Sequence, residues 1–467
     1  MSPKRMLEIA EKLVDETIKK GADQAEAVAF LTDNALTRFA NSQIHQNIAS
    51  KIGGIIVRAV VGKSIGIARV NSLGFQPEKE AVEQALRTAK LVPPDKHFKS
   101  LPTPKEWSPI KRALDPETAD CPPEVRADAV DALISEAHSV SPVVKAVAGY
   151  ISTGMNAFAV ANSLGVSAQA AYSLANLSTT VISEDGGRPS FSKKGDFSRR
   201  FKDLDAPSIG RETAENSVKG LNPSKLSPDV YEAILMPLAA NVVLSSVAEG
   251  FAATTWQSGA SFVKHHLDEQ VFDEKLTVID DPRDPRTILA VPIDGEGVPK
   301  RQVKLITNGV VSEDSICYDS FMAVREGKES TGHSLLPLER SFEVPSVART
   351  RPTGSQISLE NVVVSPGNST VEEMIAETKR GVLVTQFHYN AMLSVTDLII
   401  SGITRNGLFL IEDGEVVGPV MNLRYTESML STLKDIPLIS KELNRTQGMT
   451  LPIIKVSKFR FTGVTEY

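Results

Sequence analysis

The stretch "PLAANVVLSSVAEGFAATTW" (residues 237–256) carries a single charge, Glu249, in a chain whose charges are otherwise well spread. Three structures suit a segment this apolar: a membrane span, a helix buried for packing, or a buried helix that carries a catalytic site. A span needs about 20 strongly apolar residues. This segment is built on Ala, Ser, Thr and Gly rather than Leu, Ile and Phe, and no Lys/Arg cluster flanks it to orient insertion. Pro237 sits where a helix starts, a position at which its missing N–H is not needed. The segment therefore reads as one helix buried in a protein core.

The surrounding chain sets the class. Its 467 residues favour two or three domains over a single core. Hydrophobic content of 41% with 23% charged residues is that of a globular protein with a sizeable interior. A net charge of −6 argues against nucleic acid as the main partner, because phosphate neutralisation requires a basic face. Cys121 and Cys317 lie far apart and match no metal or redox spacing. With no disulfide framework and no secretory leader, the expected setting is the reducing cytoplasm.

Read in order, the chain divides into four parts. Met6, Ile9, Leu13 and Thr17 share one face of an N-terminal helix that opens at Ser2-Pro3 and stops at Gly21. Residues 25–32 read as a strand, and residues 53–75 alternate in period two about Gly62-Lys63, as a hairpin does. A helix opening at Pro77 closes this N-terminal α/β domain (1–92). Eight prolines between Pro93 and Pro123 make residues 93–123 a semi-rigid connector. The central domain (124–222) starts with a helix at 124–138. Strands follow at 143–150, 157–162 and 167–182, then a helix at 208–219. The rest (223–467) is a large β-rich domain with the buried helix near its start and hairpin signals at Asn308-Gly309 and Asp413-Gly414. The expected class is α+β. "RVNSLGF" (69–75) and "VANSLGV" (160–166) read as two similar turns rather than a repeat.

Few residues stand out as catalytic. "GKSIG" (62–66) matches a nucleophile elbow in letters, but another strand follows where a helix is required, so Ser64 is a hairpin residue. The buried segment holds no histidine. The densest ligand cluster is "KHHLDEQ", in which His265 and Glu269 are four apart and His266 is adjacent; among Lys, Asp and Glu, this reads first as a solvated turn and only weakly as a metal site. Glu249, alone on an apolar helix, is either a general base with a raised pKa or a carboxylate emerging at the helix end near Gly250.

Taken together, "GGIIVRAVVGKSIGIARVNSLG", "YEAILMPLAANVVLSSVAEGF", "VPIDGEGVPKRQVKLITNGVV", "STGH" and "GITRNGLFLIEDGEVVGPVMNLRYTES" resemble the TldD/PmbA family of metallopeptidases and their non-catalytic relatives. The resemblance covers nearly all of the chain outside the connector. In the active branch, it implies, the helix after the "YEAILMP" strand carries a zinc-binding H-E-x-x-x-H motif, completed by a cysteine near the C-terminus. Here the helix reads "NVVLSSVAEGF" and the C-terminal segment "NRTQGMTLPIIKVSKFRF", with no histidine or cysteine in either. The chain is thus closest to the PmbA (TldE) branch. The resemblance implies no cofactor in this chain and zinc only in a TldD-like paralogue. The expected role is a regulatory, non-catalytic subunit of a heteromeric protease acting on peptides or unfolded segments. Two alternatives stay open: an autonomous hydrolase using residues such as Glu249 and His333, and a metal-free peptide-binding homodimer.

Overall fold

Ser2 caps the first helix, α1 (Pro3–Lys19), its hydroxyl accepting the Arg5 amide, and the expected face of Met6, Ile9, Leu13 and Thr17 is buried. The computed structural model describes residues 1–71, 75–289, 291–336, 356–446 and 448–465. After α1 come three antiparallel strands, β1 (Gln24–Ala40), β2 (Gln43–Val61) and β3 (Ser64–Val70), and then α2 (Phe75–Leu91). A single turn, α3 (Pro116–Ala119), precedes a second helix–three strands–helix unit: α4 (Pro123–Val140), β4 (Val144–Asn162), β5 (Ser167–Ser183), β6 (Ser190–Ser198) and α5 (Ala206–Lys219). The two units form one six-stranded sheet in the order β3-β2-β1-β4-β5-β6, with β1 and β4 antiparallel from Glu26↔Asn162 to Phe39↔Gly149.

This seam corrects the expectation that residues 93–123 join separately packed units. The connector is itself pinned to the sheet. Phe98 and Leu101 are buried, Asp95 N donates to Lys63 O, and Asn162 Nδ2 donates to Pro102 O. The expected strand at 25–32 runs on to Ala40, and those at 143–150 and 157–162 are one strand. In each case polar residues interrupt the apolar run, but neighbours on both sides keep the ladder hydrogen-bonded. The turn after β4 is held by Asn162, whose Oδ1 accepts from the amides of Leu164 and Val166, with Gly165 at φ 100°. The similar sequence after Asn71 falls on 72–74, outside the described residues.

Small side chains on one face (Ala25, Ala27, Ala29, Ala157, Ala159) let α1 and α2 approach closely, and α4 and α5 cover Val147, Ile151 and Leu177 on the same face. The tightest approach is at Gly66, where a Cβ would lie 2.0 Å from Ala85 O and 2.3 Å from Ala89 N of α2. Gly66 thus serves helix packing rather than an elbow, and Ser64 pairs with Val61 across the Gly62-Lys63 turn as expected. Gly66→Ala is expected to destabilise the protein by about 1–3 kcal/mol, read as a lower denaturant midpoint with an unchanged m-value.

The other face of the sheet, through Phe30, Phe158 and Tyr172, packs on Ile288, Leu289, Val291 and Ile293 of the C-terminal domain. That domain opens with β7 (Val230–Leu235), α6 (Pro237–Ala248) and α7 (Ala253–Gln257). It continues through β8 (Val278–Asp280), β9 (Val303–Ile306), α8 (Ser320–Arg325), β10 (Val362–Val364) and α9 (Val371–Ala376). Long strands follow: β11 (Arg380–Ser394), β12 (Ile399–Glu412), β13 (Glu415–Pro419), β14 (Leu423–Ser428), then α10 (Met429–Thr432), β15 (Leu438–Thr446) and β16 (Met449–Val464). The pairings β12–β11–β7–β16 close on themselves through β14, which bonds both β12 and β16. Phe387 stacks on Phe459 at 5.1 Å, and Tyr425 meets both rings. The α+β class and the β-rich C-terminal domain agree with the sequence reading.

Asp413-Gly414 makes the expected tight turn between β12 and β13, both residues at positive φ (47° and 84°). Asn308-Gly309 forms the same turn, but Val310 bridges to Gln270 and no second hairpin strand develops. Among the described residues, no helix is long and apolar enough to cross a membrane.

The opening stretch is not one helix. α6 runs for 12 residues, Glu249–Phe251 tighten into a 3₁₀ turn, and Ala252 is extended before α7 begins. Two contacts impose the break. A Cβ at Gly250 would lie 2.3 Å from the Phe262 ring, and Cys317 diverts the backbone by donating its N–H to Phe251 O and accepting from Ala253 N. Phe251, Phe262 and Phe272 then pack edge to face at 5.5 and 5.8 Å. Burial of the segment is as expected, with Ala239, Ala240, Val243, Leu244 and Val247 all in the core.

Candidate functional site

Asn241, Val242 and Ser245 form the half-buried side of α6, opposite the turn between β15 and β16. Thr446 Oγ1 lies 2.8 Å from Asn241 Oδ1, to which it donates, and Ser245 Oγ is 3.8 Å from Met449 Sδ. Ser246 turns back on its own helix, donating to Val243 O at 2.6 Å. The helix and the turn thus meet through an amide, hydroxyls and a thioether. Zinc takes thiolate, imidazole or carboxylate ligands, so these residues do not fit that ion. No group of three His, Cys, Asp or Glu side chains suited to a metal occurs among the described residues.

The other sequence candidates are dispersed. Glu249 is exposed where α6 ends, although nearby apolar atoms still raise its carboxyl pKa. It has emerged at the helix end, the second of its two expected placements. His265 closes a 3₁₀ turn, and Glu269 pairs with His266 rather than with His265, Nδ1 to Oε2 at 3.0 Å on the surface. The four-residue helical spacing expected for His265 and Glu269 is absent because the turn ends at His265. We expect the purified chain to hold no stoichiometric zinc by elemental analysis. About one zinc per chain surviving mild chelation would refute this, and replacing His265 and His266 together should leave the metal content at background.

His333 is completely buried. Its Nε2 lies 3.4 Å from Asp280 Oδ1, and its Nδ1 lies 2.8 Å from Thr331 Oγ1. The letters of an acid–base–hydroxyl relay are present, but no substrate reaches a group without surface. Asp280 Oδ2 accepts the amides of Glu360 and Asn361 at 3.0 and 3.1 Å. Burial pushes the Asp280 carboxyl pKa up, yet the hydrogen bond and charge of His333, with Lys300 and the Asn361 amide, bring the net value below the ordinary one. Burial pushes the nearby Cys317 thiol well up, away from the thiolate a nucleophile needs.

Sequence reasoning missed the joint built from these same segments. Asp294, in "IDGEG", accepts the amides of Glu296 and Val298 through Oδ1 and that of Ser334, just after "STGH", through Oδ2. Glu296 reaches across to the first domain. Arg58 of β2 is 3.2 Å from Glu296 and 3.7 Å from Glu26, with both carboxylates buried. Burial opposes the Arg58 charge, but the two carboxylates outweigh it and raise its pKa. The available signal was a charge inside an apolar run: Arg58 in "GGIIVRAVV", and Asp294 and Glu296 in "VPIDGEGVP".

One opening lies at the start of α6. A cleft of about 1070 Å³ runs between the central and C-terminal domains, with Pro237 and Leu238 at its end. Residues 192–196 of β6 form one wall and residues 441–446 of β15 the other. Arg445 and Asp196 pair across it, Nε to Oδ1 at 3.0 Å.

In the C-terminal domain the ring of paired strands β12, β11, β7, β16 and β14 lies beside a helix, α6, that carries no His, Cys, Asp or Glu. A sequence profile described as the PmbA/TldA metallopeptidase C-terminal domain matches residues 228–463, and one described as the central domain of the same proteins matches 116–221. The chain belongs to the TldD/PmbA family. It is 23% identical over 463 residues to a metalloprotease PmbA homologue of Haemophilus influenzae, covering 96% of this chain and 94% of the relative. A zinc metalloprotease TldD homologue of Saccharolobus solfataricus is 25% identical over 271 residues, 53% of this chain and 54% of the relative. The crystal structure of TldE from Thermococcus kodakarensis superposes with a TM-score of 0.87 at 24% identity, covering 97% of this chain and all of that one.

Proposed function

We propose that this chain is a non-catalytic subunit of a heteromeric zinc protease, working in the cytoplasm with a TldD-like paralogue that carries the metal. The observation that carries the reading is the neutral set at α6, where Asn241, Thr446, Ser245 and Met449 satisfy one another. Such a site cannot lower the pKa of a bound water toward neutrality, which is how zinc makes a nucleophile. The fold around it is complete, so the chain retains the walls of a cleft without its reactive centre. Two related chains of this fold can dock through similar faces in pseudo-symmetric fashion. The autonomous-hydrolase alternative loses support, because His333 is sealed and Glu249 stands exposed at the helix end.

The test compares cleavage of an unfolded peptide by this chain, by a paralogue carrying H-E-x-x-x-H, and by the two co-expressed. The chain alone is expected to be inactive, and the pair to differ from the paralogue alone in rate or in cleavage position. Chelator-resistant cleavage by the chain alone would restore the autonomous enzyme. A pair that neither associates nor differs from the paralogue would favour the metal-free homodimer that binds peptides.

A further inference from the structure

We infer that the cleft between β6 and β15 takes an extended, acidic polypeptide segment. The inference rests on the subunit reading only in supposing that the chain handles peptides at all. Two strand edges run along the walls. Among the described residues β6 pairs only with β5, and its other side is approached by β12 and β15 without a ladder to either. β15 pairs with β16, and among the described residues the backbone bonds to its outer edge come at 439–441, from residues 367–369. Residues 443–446 are held by β16 on one side, and among the described residues no strand pairs with them on the other. An extended chain is the ligand that satisfies a row of main-chain donors and acceptors, with alternate side chains directed into the cleft.

The charge of the lining selects among peptides. Cationic side chains outnumber carboxylates nine to five there, against an overall charge of −6 for the chain. Most of the carboxylates are already committed: Asp196 to Arg445, Asp203 to Arg200, Glu212 to Lys194, and Asp205 to the amide of Ser208 at the start of α5. Lys111, Arg112, Lys193 and Lys441 have no ion-pair partner among the described residues, so the excess is available to a ligand. The first turn of α6 ends in the same cleft and adds the positive end of a 12-residue helix. A single-stranded nucleic acid would also answer the charge, but no aromatic side chain lines the cleft to stack on bases. The strand edges favour the peptide.

The volume is also on the scale of a chain segment, standing at or above the roughly 300–1,000 Å³ of small-molecule sites. Both walls extend over several consecutive residues rather than converging on one point.

The experiment measures binding by the full chain alone, using fluorescence anisotropy of a labelled ten-residue Asp/Ser peptide. Its Asn/Ser and Lys/Ser counterparts, a version N-methylated at alternate residues, and a single-stranded oligonucleotide are run beside it. The acidic peptide is expected to bind at least about tenfold more tightly than the neutral one, and added salt should shrink this margin. N-methylation should also weaken binding about tenfold, since it removes main-chain donors. The triple variant Arg112→Glu/Lys193→Glu/Lys441→Glu should abolish the preference, while Lys4→Glu, on the far helix α1, should leave it intact. A melting curve confirms that the triple variant is folded. If it is not, the single Lys193→Glu and Lys441→Glu variants must each weaken binding of the acidic peptide. Equal binding of acidic and neutral peptides, indifference to N-methylation, or tighter binding of the oligonucleotide would each overturn the inference. Association with the paralogue is read separately. A chain that pairs but ignores acidic peptide refutes only this inference, and one that binds the peptide but never pairs refutes only the subunit reading.

Discussion

Asp280→Ala is expected to cost about 3–5 kcal/mol of folding stability, because a fully buried carboxylate that two amides and His333 face is removed from among its partners. The carboxylate is completely buried, and its removal strands the amides of Glu360 and Asn361 together with His333. The loss should appear as a large drop in melting temperature in a chain that otherwise folds. Because the folded-state pKa of Asp280 lies below its ordinary value, its contribution is present above the unfolded pKa of about 3.9. It is lost as the pH falls through the folded value. The gap between wild type and Asp280→Ala should therefore be widest near neutrality and narrow in acid. The double variant Asp280→Ala/His333→Ala should be less destabilised than the sum of the singles, because it removes both partners instead of orphaning one. Strict additivity would show that the 3.4 Å approach carries no coupling.

The second large effect is expected at the joint between the first sheet and the C-terminal domain. Arg58→Met keeps much of the side-chain volume but leaves Glu26 and Glu296 buried without their cation. A loss of about 3–5 kcal/mol follows from removing the cation that two buried carboxylates share. The acid response runs in the same direction as for Asp280→Ala, but for a different reason. Protonation relieves the stranded carboxylates, so the variant's deficit should shrink as the pH is lowered. Replacing Glu296 as well should recover part of the stability at neutral pH. A deficit below about 1 kcal/mol would mean that the pair behaves as a solvated surface bridge.

Much of the architecture was legible because it is locally encoded. Gly62-Lys63 and Asp413-Gly414 turn the chain where their backbone preferences demand, and Ser2-Pro3 opens α1. Burial of the α6 segment followed from composition alone. What could not be read depends on partners distant in sequence. No local pattern pairs β1 with β4 across more than a hundred residues, and the break after Ala248 is set by Phe262 and Cys317 rather than by the helix's own residues. The site shows the same division. The lack of histidine in the α6 segment was evident as letters, whereas the sealing of His333 against Asp280 and the bond from Arg58 to Glu296 join residues 53 and 238 positions apart. The basic cleft was invisible for another reason: the overall charge is negative, and the excess arises only when 111–112, 193–200 and 441–445 converge.

The seam between β1 and β4 also orders events during synthesis. β1 is an interior strand of the finished sheet, yet its second neighbour ends at Asn162. A ribosome that has released the first helix–three strands–helix unit has therefore produced an unfinished sheet with an open, largely apolar flank. Contacts of this sequence separation form slowly, and an unpaired strand is a template for association with other chains. Truncation between residues 92 and 162 is accordingly expected to give aggregates rather than a small stable domain.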